Sequence, residues 1–359
     1  MDQQYTLRLE KIEKVLERWL PENPGSAWSE EVFSGMGQIN TELLRALTVP
    51  GKDILSRGGK RWRPLLMALV CEALGGGDAS LPLTPLVEFC HNASLIHDDI
   101  EDNSDERRGK PAVHLIYGVD TAINSGCFLY FLPLACIDSW SHSGDCRAQA
   151  YSLWASHIRK LHLGQAIDIH WHRNIDIVPS VEEYFAMCAM KTGCLARFAV
   201  ELGVIASKTA GCESGARESA PHSESAPHSE SALLTEAAPL AEAAEKLGIG
   251  FQILDDVKNL TTGVPGKKRG DDIVEGKKSL PVLLFLLRHP EKKEMVRRCF
   301  TASRAKGAGA PETEELIQAL AAGGVIKEAE EQGKAMIASA RTVFEKTGAL
   351  LAGFLSLIS

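Results

Sequence analysis

LTPLVEFCHNASLIHDDIED, residues 83–102, sets Leu86, Phe89, Cys90, Ala93 and Ile96 at three- and four-residue steps, the period of a helix with one buried face. Thr84 followed by Pro85 supplies an N-cap and a first-turn proline. The same spacing runs through 62–74, 120–138, 148–170, 181–207, 234–258 and 279–287. No run of alternating strands and no strand–GxG–helix unit interrupts it. The pattern predicts an all-α protein, a bundle of about ten or more helices.

The decisive segment ends in four carboxylates within five residues, Asp98-Asp99-Ile100-Glu101-Asp102. Residues four apart on a helix lie about 40° apart in azimuth and roughly 6 Å along the axis. Asp98 and Asp102 therefore project from one face, with His91 two turns below on the same stripe. Acids at a helix C-terminus oppose its dipole and repel one another, so a cation is needed there. Oxygen ligands of this kind suit Mg²⁺, which keeps waters and bridges to phosphates. A second helical run, GFQILDDVKNL at 250–260, repeats the device, with Asp255, Asp256 and the neutral oxygen ligand Asn259. Two such helices facing across a bundle interior make two walls of one metal site.

The balance of 39 Lys plus Arg against 47 Asp plus Glu gives a net charge of −8, the wrong sign for a nucleic-acid groove. Basic residues nevertheless cluster at GGKRWRP (58–64), at Arg107-Arg108-Gly109-Lys110, at Lys191-Thr192-Gly193, and at Lys267-Lys268-Arg269 with Lys277-Lys278. Each alone reads as a solvated patch. Set beside two acidic motifs, they match Arg and Lys clamps on a diphosphate bridged by Mg²⁺. The apolar runs 128–137 and 280–287 fall short of the ~20 residues of a membrane span. The N-terminal stretch lacks a signal peptide's apolar centre. Nine scattered cysteines without a CxxC pair read as reduced thiols, and the expected location is the cytoplasm. Residues 213–232 hold ESAPHS twice, at 218–223 and 224–229, with no large apolar side chain, and are expected to form a disordered insertion. The remainder reads as a single domain over 1–359, its helices after about 300 peripheral.

At this point the motifs resemble those of a known family. GGKRWRP, HDDIEDNSDERRGKP (97–111), GQAID (164–168), KTG (191–193) and GFQILDDVKNL look like the five ordered signatures of the trans-isoprenyl diphosphate synthases. HNASLIHDDIEDNS, IYGVDTAINS and GQAIDIHWHRN are similar to the eukaryotic-type geranylgeranyl diphosphate synthase subgroup. GGKRWRP and His97 are more like other members. The resemblance implies the isoprenoid-synthase fold around a deep central cavity and usually a homodimer. It also implies condensation of isopentenyl diphosphate with an allylic diphosphate, farnesyl to geranylgeranyl, by Mg²⁺-assisted ionisation and 1′-4 coupling.

Carried across by residue, it implies that Asp98 and Asp102 hold two of three Mg²⁺ ions and Asp255 the third, with Mn²⁺ able to substitute. Asp99, Asp256, Asn259 and Asp272 would assist them through water or through contacts to the ligands. Arg107, Lys191 and Lys268 (or Lys267) would contact the allylic diphosphate, helped by Lys277. Lys60, Arg63, His91 and Arg108 would bind isopentenyl diphosphate. Thr192 and Gln252 would face the allylic cation, and Asp168 would anchor Lys191. The small residues Ala93 and Ser94 would leave the pocket deep. Tyr130, Phe131 and His162 match the subgroup's floor, or else are plain core packing.

Other readings compete. A terpene cyclase needs Ser or Thr and then Glu in its second metal motif, and position 263 is Gly. An HD-type phosphohydrolase leaves the second acidic motif unexplained. A farnesyl or longer-chain synthase shares every motif. A non-catalytic subunit on the same fold could lack the first-motif acids or arginines that this chain keeps.

Overall fold

The computed structural model describes residues 3–34, 39–141, 143–209, 230–263, 268–348 and 354–355, most of them helical. The decisive segment is one helix, Thr84–Glu101, capped at its C-terminal end by Asp102. Leu86, Phe89, Cys90, Ala93 and Ile96 are all fully buried on it, each of the larger ones contributing about 2 kcal/mol of burial. Thr84 does not cap by accepting a bond. A 3₁₀ turn over Gly77–Leu83 runs straight into the helix, and the Thr84 hydroxyl donates to the Leu81 carbonyl at 2.7 Å.

The second acidic motif ends the long helix Glu230–Thr261. Between the two lie Gly144–Arg173 and Val181–Cys188, the latter opened by a reciprocal Ser180–Glu183 cap. A π-helical turn, Ala189–Gly193, joins Val181–Cys188 to the next helix, Cys194–Thr209. Gly164 presses on that turn. A Cβ there would sit 2.5 Å from the Lys191 backbone nitrogen, so only glycine permits the approach.

One minimal strand pair occurs where no strand was expected. Glu106–Arg107 pairs antiparallel with Lys110–Pro111. Its two-residue turn, Arg108-Gly109, has φ of +54° and +74°. Hairpin turns of the primed type need left-handed backbone at both central positions. Glycine adopts it freely, whereas Arg108 carries roughly 1 kcal/mol of strain.

Two expectations about the periphery need correction. The final long helix, Val325–Thr347, is not peripheral. It packs along Glu230–Thr261, with Ala329, Ala340 and Phe344 fully buried. The reason is a glycine crossing, where a Cβ on Gly250 would lie 2.8 Å from the Gly333 carbonyl oxygen. Residues 230–232 of the expected insertion already belong to a helix, and 213–229 lie outside the described residues. The stretch Val119–Asp138 is long and apolar enough, by length and composition, to cross a membrane, and 56% of it is buried inside the protein. It is broken near Pro133 into the helices Val119–Phe131 and Leu134–Asp138.

Candidate active site

The C-terminal ends of the two acidic helices open on one cavity of about 720 Å³. Asp98 faces it from the first helix, and Asp255, Asp256 and Asn259 from the second, with Asp272 beside them. Cations hold the first wall. The Asp98 carboxylate accepts from Gln165 Nε2 at 3.1 Å and meets Lys191 Nζ and Arg107 Nη2, both at 3.4 Å. Lys277 ties the walls together, its Nζ lying 3.0 Å from Asp102, 2.5 Å from Glu275 and 3.9 Å from Asp272. Burial alone would depress the Lys277 pKa, but these three carboxylates hold it well above the ordinary lysine value.

The acidic and amide groups around these walls are held by their own partners. Asp99 is fully buried and turned from the cavity, one helical step of 100° round from Asp98. It accepts from Arg107 Nε at 2.9 Å and Nη2 at 2.5 Å, so it aims the arginine. The Asn259 side-chain oxygen accepts from the Asp272 backbone N–H at 3.2 Å. It thereby fixes the start of the short helix Asp271–Glu275 and is already engaged by that bond. Asp256 accepts from Tyr184 Oη at 2.8 Å and Gln252 Nε2 at 3.0 Å; burial, then Asp272, pushes its pKa up to about 7. Burial also raises Asp255, with Asp272 adding to it and Lys258 opposing.

Lys191 and Thr192 both reach the cavity from the π turn, which inserts an extra residue into the helical path. Lys191 Nζ donates to Asp168 at 2.5 Å, and Thr192 Oγ1 donates to Gln252 Oε1 at 2.9 Å. Lys268 is not brought to this wall. It is exposed, and its backbone N–H donates to Asp271 at 2.6 Å. Lys267 lies outside the described residues. Lys258, which sequence reasoning passed over, lines the cavity.

A second cationic group, Lys60, Arg63 and Arg108, lines the same cavity, with His91 beside it. Arg63 lies over the Trp62 ring at 4.4 Å, and its buried Nε has no hydrogen-bond partner among the described residues. Trp62 is braced in turn by Phe251 at 5.3 Å and Phe354 at 6.4 Å. Burial pushes the Arg63 and Arg108 pKa values down to about 10, so both are charged at neutral pH. Burial, then Arg63 and Arg108, drives His91 well below the ordinary imidazole range. Arg61 is engaged elsewhere, binding Glu13, the buried Glu88 and the carbonyls of Leu55 and Gly58. Gly59, at φ +136°, passes so close that a Cβ would crowd both the Arg61 and Arg108 guanidinium groups.

Ser94, Leu95, Leu161 and Leu195 also line the cavity, with His97, Tyr130 and His162. The Tyr130 ring lies 5.0 Å from His162 and 5.7 Å from His97. Ala93 is buried behind this wall rather than on it. Phe131 is a correction: one position beyond Tyr130 it points outward, 59% exposed, against Trp154.

Gln165 was missed as a functional residue, although it stands within GQAID, one helical turn before Asp168. It bridges Asp98 and Glu101, donating to the latter at 2.6 Å. The donor set fits a hard divalent cation, since Asp98 and Asp255 on the cavity and Asp102 behind them, held by Lys277, offer only oxygen. Among the described residues no three carboxylate, imidazole or thiol groups converge on one point. A bound ion would complete its shell with phosphate oxygens and water.

Comparison with known proteins gives a consistent result. The polyprenyl synthetase family profile matches residues 45–317. The geranylgeranyl pyrophosphate synthase of Neocamarosporium betae is 32% identical over 255 residues, 70% of this chain and 65% of that protein. The chain thus spans just under two thirds of that relative's length. A short chain isoprenyl diphosphate synthase of Methanocaldococcus jannaschii is 33% identical over 273 residues, 75% of this chain and 74% of that one. The crystal structure of geranylgeranyl pyrophosphate synthetase from Pyrococcus horikoshii superposes with a TM-score of 0.77 at 26% identity. That superposition covers 99% of this chain and 96% of the other.

Proposed function

We propose that this chain, which belongs to the polyprenyl synthetase family, is a trans-prenyltransferase that extends farnesyl diphosphate with isopentenyl diphosphate to geranylgeranyl diphosphate. The observation that carries the reading is one cavity lined by two cationic groups, Arg107, Lys191 and Lys277 beside the acidic walls and Lys60, Arg63 and Arg108, together with the apolar Leu95, Leu161 and Leu195. One diphosphate needs one such group; two groups serve two diphosphates. Mg²⁺ held by Asp98, Asp102 and Asp255 would neutralise the leaving diphosphate. Arg107 and Lys191 would bind that diphosphate as the allylic C–O bond breaks and both electrons leave with oxygen. The isopentenyl double bond, positioned by Arg63, Arg108 and His91, then attacks the allylic carbon. The proton lost afterwards goes to the departed diphosphate, so no side-chain base is required. The hydroxyl of Thr192 and the amide oxygen of Gln252 present dipoles to the cation.

Product analysis tests this. Purified protein is incubated with Mg²⁺, labelled isopentenyl diphosphate and C5, C10 or C15 primers, and the dephosphorylated alcohols are resolved. A dominant C20 alcohol is expected. A C15 or C30 end product would replace the chain-length assignment. No product from any primer would overturn the reading and leave a non-catalytic subunit on the same fold.

Tyr130 belongs to the same proposal. Its ring lines the cavity beside His162 and is 5% exposed. Tyr130→Ala is expected to lengthen the product by at least one isoprene unit; an unchanged distribution would return the ring to core packing.

A homodimer completes the proposal. Val119, Ile123 and Phe131 form one exposed stripe at four- and eight-residue steps, between 44% and 59% exposed, with Leu115, Ile116 and Leu163 also exposed. A patch of this kind is commonly a subunit interface. Sedimentation should give a mass twice 39.0 kDa, and a monomer would remove the dimer from the proposal.

A further inference from the structure

The place of one ring in the cavity wall depends on a residue that has no side chain. His97 lies against the helix Val119–Phe131 at Gly126. A Cβ on Gly126 would meet the imidazole Nε2 at 2.7 Å, Cδ2 at 3.1 Å and Cε1 at 3.2 Å, and these are its three nearest neighbours. The ring is fixed in that place by the Ile123 carbonyl, 3.3 Å from Nε2. The Cys127 sulfur lies 3.8 Å from the same nitrogen. Tyr130, one turn after Gly126, stands 5.7 Å from the same ring, and both rings line the cavity with His162.

Resting on the prenyl-transfer reading above, we infer that Gly126 is a specificity-determining residue for product length: the room it leaves lets His97 lie back, and this sets the depth of the cavity. The three nearest atoms all belong to the end of a side chain rather than to backbone. An added methyl would therefore move the imidazole and not the helix. The ring then has to move off Gly126, and because it lines the cavity that movement takes space a growing hydrocarbon tail would occupy. A single methyl in an apolar pocket discriminates substrates by about ten-fold or more.

The test compares wild type, G126A, H97A and the double variant, each as the full chain with Mg²⁺ and labelled isopentenyl diphosphate. G126A is expected to shift the ratio of longest to next-shorter product about ten-fold towards the shorter, while the rate of the first condensation on a C5 primer stays within about two-fold. Removing the ring in G126A/H97A should restore the longer product. A wild-type ratio in G126A, or a double variant as short as G126A, overturns the inference. Should G126A fail to fold, H97A decides alone: a longer product is expected, and an unchanged one overturns the inference. A wild type that condenses nothing defeats the prenyl-transfer reading itself. One that condenses normally while G126A matches it defeats only the inference.

Discussion

Asp98→Ala is expected to lower kcat/KM by about a thousand-fold, or roughly 4 kcal/mol of transition-state stabilisation, while leaving the fold intact. The first half follows from position: Asp98 faces the cavity from the first wall, where Lys191, Arg107 and Gln165 all converge on it. The second half follows from what remains. Arg107 keeps its two bonds to Asp99, and Lys191 keeps Asp168, so no buried charge is stranded. The side chain is itself 18% exposed and fills no apolar core. Circular dichroism and the melting temperature should therefore match wild type. Mg²⁺ should also cease to strengthen binding of an allylic diphosphate analogue. Wild-type turnover in this variant would sink the assignment of the metal site.

The contrast with Asp99 shows where sequence reasoning reaches its limit. Helical spacing places Asp98 and Asp102 on one face without any knowledge of the fold, and local charge density marks the basic clusters. Both quantities are read along the chain. Which of Asp98 and Asp99 faces the cavity depends on Arg107, eight residues on, in the strand that leads into a hairpin turn with two left-handed residues. Arg61 and Arg63 are likewise indistinguishable by composition. One is consumed by Glu88 and Glu13, and the other is left over the Trp62 ring. Tyr130 and Phe131 are adjacent aromatics on one helix, and only the packing of Trp154 on the outer face separates them.

Helix identity was legible from period; helix partners were not. The Ala-, Lys- and Glu-rich tail reads as surface because its apolar side chains are small. Small residues are also what permits a close crossing, as at Gly250 and Gly333. The π turn has no signature in AMKTG, since it is imposed by the glycine contact at Gly164 and by the bond from Lys191 to Asp168. The motif KTG could therefore be recognised, while the way in which it presents two consecutive side chains to one cavity could not.

That geometry makes Lys191→Gln the second large effect, and one with two separable parts. Activity should fall by about 10²–10³-fold, because a cation aimed at the leaving diphosphate is lost. Stability should fall as well, by about 3 kcal/mol, because Asp168 becomes a buried carboxylate without its partner. Burial alone would depress the Lys191 pKa, yet Asp168 and Asp98 hold it above the ordinary lysine value, so the charge is present throughout the working range. Adding Asp168→Asn to Lys191→Gln separates the parts. The neutral pair should recover most of the lost stability in a denaturant titration, because nothing charged is then stranded. Turnover should stay low, because Asn and Gln cannot replace the cation. Recovery of both would make Lys191 a structural residue, and loss of neither in the single variant would remove it from the site. Recovery of stability without turnover is the outcome the geometry requires.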